Sequence, residues 1–407
     1  MAELSPATLT ERAGVLHLGE VLSRRLERLD AAYRSGGEAA IRAVDEFRVI
    51  QPHVDKAWHD LGDHVGDRAE DILRARIAVS AAELLARRMP GLDQIERLTT
   101  ALEAVRRHAV PAMEAKLLLR LANACYNTSG PRPELYEQAL EIARDLDDPD
   151  LLYDALFGRA LCANAQRDLE SARAHYEQAL AVADRTGMPF ARPRALTALG
   201  NLLREQGDLA GAERRLREGI AIMERGGVPM MVQADAYRYM GLLRMRENRP
   251  DDAAAWFERQ RQIGESIGDR RAMSSAINSL GWVAYSRNDL ESAAQSFEQA
   301  ADLATQTGNI RLLAQAEGNL GAVLLEQGKP HEAMAHHERA LALFRRFGDP
   351  RGTAEELVNG AAIRHALGDI PQAVSALRQA LLIEGAGPVV TEEATRLLRE
   401  LESPPAS

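Results

Sequence analysis

Self-similarity at a fixed period constrains this chain more than any other feature. Slid against itself, the 407-residue sequence matches at a spacing of 40 residues with one slip of 41, the signature of an array whose units bury their apolar faces only by stacking. Alanine recurs at Ala172, Ala212, Ala253, Ala293, Ala333 and Ala373, and four residues after each stand Tyr176, Leu216, Phe257, Phe297, His337 and Leu377. Residues i and i+4 share one face of a helix, so every repeat sets a small side chain, suited to a close helix crossing, beside a bulky one. His337 alone departs from the apolar rule.

A second small series, Ala160, Gly200, Gly241, Gly281, Gly321 and Ala361, marks the helix before. Seven residues after the last five of these come Gly207, Asn248, Asn288, Gly328 and Gly368, the two residue types that most readily take a positive φ and so end a helix sharply. Pro250, Pro330 and Pro371 follow within three residues, at the start of a helix where a missing N–H costs nothing. Gly187, Gly227, Gly268, Gly308 and Gly348 close the second helix, and the Asp or Asn after Gly268, Gly308 and Gly348 caps the next. Each unit is thus a pair of antiparallel helices of roughly 15 to 18 residues. The fold class expected is all-α.

Composition narrows the function. Aromatics are 4% of the chain, and 60 acidic against 50 basic residues give a formal charge of −10. That balance disfavours a general nucleic-acid or anionic-membrane surface, since phosphate binding needs a basic footprint. No stretch approaches the roughly 20 apolar residues of a membrane span, and the start, MAELSPATLTER, lacks the apolar core of a secretory signal. A cytoplasmic protein is expected. Cys125 and Cys162 have no CxxC partner and read as buried thiols.

Motifs of catalysis are missing: there is no GxSxG elbow, HExxH pair or GxxxxGK[ST] loop, and Gly328-Lys329-Pro330 sits in a repeat turn. His59, Asp60, Asp63 and His64 read as a solvated helix end, and adjacent His336 and His337 point about 100° apart on a helix. No catalytic residue, metal or cofactor is expected.

Segments such as AINSLGWVAYSRNDLESAAQSFEQAADLATQTGN (277–309) and AEGNLGAVLLEQGKPHEAMAHHERALALFRRFGD (316–349) resemble tetratricopeptide repeats. The longer period is similar to that of kinesin light chains, the LGN polarity adaptors and many bacterial sensor proteins. Residues 9–62, with their GGEAA and the acidic-aromatic run after it, are similar to the helical segment preceding the repeats in STAND-type signalling ATPases, although the ATPase is absent. The resemblance implies a right-handed α–α superhelix, a tetratricopeptide solenoid of seven or eight hairpins plus a C-terminal capping helix. We divide the chain into an N-terminal helical segment with a degenerate repeat (1–110), an array of seven repeats (111–385), a capping helix (386–403) and a tail (404–407).

In such solenoids the concave surface, lined by the first helix of each pair, is generally where peptides dock. Counting outward from the small marker of each first helix places Arg194, Asn201, Arg204, Asp235, Arg238, Tyr239, Arg246, Asn278, Trp282, Tyr285, Asn319 and Asn359 on that surface. Arg194, Arg204, Arg238 and Arg246 would form a basic stripe suited to carboxylates. Tyr239, Trp282 and Tyr285 read either as binding anchors or as inter-repeat core. Asn201, Asn278, Asn319 and Asn359 offer donor and acceptor to an extended backbone, as inner-face asparagines of related solenoids do. The function expected is a non-enzymatic scaffold, a sensor or adaptor subunit recognising another protein or peptide, such as an effector or signalling enzyme in trans. The alternatives are an intracellular peptide-sensing regulator and, less favoured, an RNA- or nucleotide-binding protein.

Overall fold

The computed structural model describes residues 6–35, 37–62, 66–86, 91–188, 190–226 and 230–402, and among these it contains 19 helices and no strand. They pair in chain order. An N-terminal hairpin, α1 (Pro6–Ser35) and α2 (Gly37–Asp60), is followed by α3 (Arg68–Leu85) with α4 (Gly91–Arg107) and α5 (Pro111–Thr128) with α6 (Pro133–Asp145). Next come α7 (Pro149–Ala165) with α8 (Leu169–Thr186), α9 (Ala191–Gln206) with α10 (Leu209–Glu224), and α11 (Met230–Arg246) with α12 (Pro250–Ile267). The array ends with α13 (Arg270–Ser286) and α14 (Leu290–Thr307), α15 (Ile310–Glu326) and α16 (Pro330–Phe347), α17 (Pro350–Ala366) and α18 (Ile370–Leu381), capped by α19 (Pro388–Glu402).

Local chemistry accounts for the punctuation. Gly207, Asn248, Asn288, Gly328 and Gly368 all have φ between 58° and 89°, and Gly187, Gly268, Gly308 and Gly348 lie between 64° and 72°. Gly227 is outside the described residues. Asp208, Asn309 and Asp349 each accept from the backbone N–H three residues on, at 2.8 to 3.0 Å, which satisfies a donor the helix start leaves orphaned.

The two small series are explained by what they face. A Cβ on Gly241 would stand 2.4 Å from the Phe257 ring, one on Gly281 2.7 Å from Phe297, and one on Gly200 2.7 Å from Leu216. The bulky residue of the second helix therefore fills the notch left by the small residue of the first, and the alanines at 172, 212, 253, 293, 333 and 373 are fully buried at the crossings. His337 breaks the pattern in space as well as in type. It turns into the next hairpin, where a Cβ on Gly360 would meet its Nε2 at 2.1 Å.

At the N-terminus it is α1, not α2, that packs along α3, so the first hairpin is mounted differently from the rest and its sequence is off-period. Further along, the stack returns on itself. Helix α12 touches α2, and α15 touches α5; these are hairpins six and one, and eight and three. One superhelical turn thus takes about five hairpins, and the second turn sits directly on the first.

Candidate binding surface

First helices from different hairpins bring side chains near one another across the coil. Tyr239 on α11 lies within electrostatic range of Tyr126 on α5 and Glu205 on α9, and Arg351 on α17 within range of Glu205. Side chains from different parts of the array converge on the inner wall.

Arg194 pairs with Asp154 on α7 at 3.1 Å and stacks 3.9 Å above the Phe157 ring, so α7 and α9 are joined by a cation held flat on an aromatic face. Asn201 is buried: its amide donates to Glu205 at 3.1 Å and its carbonyl accepts from Arg204 at 2.8 Å. Arg204 lies 3.6 Å from Glu205. Burial holds the Arg204 guanidinium below its ordinary value against the pull of Glu205, and the charges of Arg238 and Arg246 lower it further. Three guanidiniums are therefore close enough to repel, with Glu205 shared by Arg167 at 2.5 Å.

On α11, Arg238 is 3.9 Å from Asp235 and 4.1 Å above the Tyr239 ring. Tyr239 is half-buried against the core of α10 and α11, while Arg246 is exposed. On α13, Trp282 is 40% exposed, with one edge set against buried Phe297 at 5.9 Å and Tyr285 at 5.2 Å. Tyr285 donates its hydroxyl to Glu326 on α15. The Asn319 amide donates to Asn278 at 2.9 Å across neighbouring hairpins, and Asn359 is exposed. The aromatics thus divide: Tyr239 belongs partly to the core, whereas Trp282 is anchored by the core and open on its other side.

Three residues that positional reading from the small markers passes over also reach this wall. Arg271, Arg311 and Arg351 are the second residues of α13, α15 and α17, and Arg311 lies within electrostatic range of Tyr126 and Tyr239. Their 40-residue spacing was available in the sequence; the count from the markers started too far along each helix to catch them.

Among the described residues no group of three or more His, Cys, Asp or Glu could hold a metal, and no helix is long and apolar enough to cross a membrane. Asp63 and His64 fall outside the described residues. Cys125 and Cys162 are both buried and free.

Comparison with known proteins agrees with this architecture. Residues 75–266 match the family described as MalT-like TPR region, and residues 232–306 and 312–383 match Tetratricopeptide repeat. No curated protein sequence matches significantly. Similar solved structures include the APC/C hetero-tetramer Cut9–Hcn1 (15% identity, 89% of this chain and 63% of that one, TM-score 0.58). A Rap protein complexed with Competence and Sporulation Factor is also similar (12%, 81% and 97%, TM-score 0.55). So is a STAND protein with a tetratricopeptide repeat sensor from Pyrococcus horikoshii (14%, 83% and 51%, TM-score 0.54). At these identities the likeness is one of fold. With family matches running through the array and the hairpin geometry to support them, the chain belongs to the tetratricopeptide repeat proteins.

Proposed function

We propose that the protein is a non-enzymatic recognition subunit, a sensor or adaptor, that binds a segment of another protein on the inner wall of α9, α11 and α13. The observation that carries this is the meeting of Arg204, Arg238 and Arg246, more cationic charge than Glu205 and Asp235 balance, with a half-exposed Trp282 one hairpin away. Guanidiniums in a partly desolvated setting favour carboxylates, with which they form paired hydrogen bonds. A rigid, core-backed tryptophan is the kind of residue that anchors an apolar side chain. The segment is accordingly acidic and carries an aromatic or large aliphatic residue.

Fluorescence polarisation with acidic decapeptides carrying one aromatic residue, and with their Gln/Asn counterparts, tests this reading. Binding to the acidic set should vanish in Arg238→Glu/Trp282→Ala with helicity unchanged, and equal affinity in parent and variant would sink it. Replacing the peptide's aromatic residue with Ala should weaken binding, which separates peptide recognition at Trp282 from nucleotide or RNA binding driven by phosphate contacts alone.

A further inference from the structure

One turn of the array breaks the chemistry of its siblings. After the first helix of later pairs stands Gly207, Asn248, Asn288, Gly328 or Gly368, yet between α7 and α8 the same place is held by Arg167, at φ 65°. A residue with a Cβ is disfavoured in that left-handed conformation, and arginine lacks the short polar side chain whose local hydrogen bonds ease it for asparagine. Such strain persists only where the surroundings fix it, and it gathers at functional sites.

Arg167 gives its guanidinium to the next hairpin. Its Nη1 donates to Oε2 of Glu205 on α9 at 2.5 Å. The other carboxylate oxygen, Oε1, accepts from the Asn201 amide at 3.1 Å and stands 3.6 Å from Nη2 of Arg204, too far for a hydrogen bond. Arg204 instead donates from Nε and Nη2 to the Asn201 carbonyl, at 3.2 and 2.8 Å. Carboxylate and guanidinium are thus neighbours held apart, the first by Arg167 and the second by Asn201. The repulsion from Arg238 and Arg246 that Arg204 feels is left only partly offset.

We infer that Arg167 is a positioning residue for the recognition surface: it holds the Glu205 carboxylate off Arg204, so that this guanidinium stays open to a carboxylate brought by the partner. The inference rests on the reading of the inner wall as the binding surface. Glu205 is an internal rival for the place of the partner's anion. Released from Arg167, it has Arg204 within reach, and a charge-assisted bond between the two would fill the site from inside. The strained turn therefore serves binding, not the fold of its own hairpin.

Arg167→Gly installs a residue that the sibling turns use and removes the tether; if that variant fails to fold, Arg167→Asn, the other sibling residue, takes its place. Two readouts on the full chain test the inference. The first needs no partner: the rate at which phenylglyoxal modifies Arg204, followed by mass spectrometry of the digested protein, should fall in Arg167→Gly and rise in Glu205→Gln. The second is affinity for the acidic decapeptides by fluorescence polarisation. It should drop about fivefold in Arg167→Gly, the low end of couplings between linked sites, and return to the parent value or better in Arg167→Gly/Glu205→Gln. Modification of Arg204 at the parent rate in Arg167→Gly overturns the inference, even where affinity falls, because the loss is then that of one charge. A loss of affinity that Glu205→Gln does not restore overturns it as well. If no acidic peptide binds any of these proteins, the reading of the wall has failed, and the modification rates still decide whether Arg167 holds Glu205 off Arg204.

Discussion

The Nδ1 atom of His337 lies 2.8 Å from Oε1 of Glu356, with His337 fully buried and Glu356 only 3% exposed. Where sibling repeats place Phe257, Phe297 or Leu377, this one joins α16 to α17 through a polar pair. Room for it comes from glycine: a Cβ on Gly318 would stand 2.4 Å from Glu356 Oε2. His337→Phe leaves the carboxylate buried without its partner and should cost about 3 kcal/mol or more, and Glu356→Leu similarly strands the imidazole, whereas the double variant should lie within about 1 kcal/mol of the parent. Urea midpoints of the four proteins check this. Additive losses would show that the two side chains do not depend on each other.

Cys162 is 1% exposed and burial pushes its thiol up to about 11; Cys125 is 5% exposed and its thiol is likewise raised by burial. The thiolate is the reactive form. Both should therefore resist a thiol reagent near neutral pH until the array opens, with reaction rates following urea concentration. A thiol that reacts at once in the native protein would contradict the packing of α5 and α7.

Burial, aided by the Glu326 carboxylate, pushes Tyr285 up to about 12. The raised value means that the neutral phenol is favoured in the folded state. Its stabilising contribution is complete below the ordinary tyrosine value of about 10 and is lost as pH climbs through the folded value. Tyr285→Phe should consequently lower stability at neutral pH and flatten the decline between those two values, as read from melting temperatures across the alkaline range.

Ala109 is exposed and holds φ at 50°, a left-handed conformation that costs an L-residue roughly 1 to 2 kcal/mol. Ala109→Gly relieves it at the expense of a more flexible unfolded chain. A net gain of about 0.5 kcal/mol or more is expected in thermal unfolding, because no side-chain contact of consequence is removed.

The parts of this molecule that were legible in its sequence are those decided by neighbours. Asn248 and Asn288 sit at φ 58° and 61° because a helix must end there, and a local demand leaves a local residue. Gly281 is small because Phe297, in the same repeat, needs its space. Asn201 was placed correctly on the first helix, yet Arg204 and Glu205 fold over it, and spacing does not report what a long neighbour does. The approach of α15 to α5 was out of reach altogether. It follows from rotations between successive hairpins that are individually small and add up over five, and no residue type encodes the sum.

In most solenoids a unit answers only to the units beside it, and repeats are added or lost freely. Here α5 meets α15 and α2 meets α12, so the array has a gear ratio. Inserting one whole repeat between them would advance the upper layer by about a fifth of a revolution and carry α15 past α5 and α12 past α2. The number of repeats is then a toothed quantity, set by the mesh of two layers and not by the fold of any one of them.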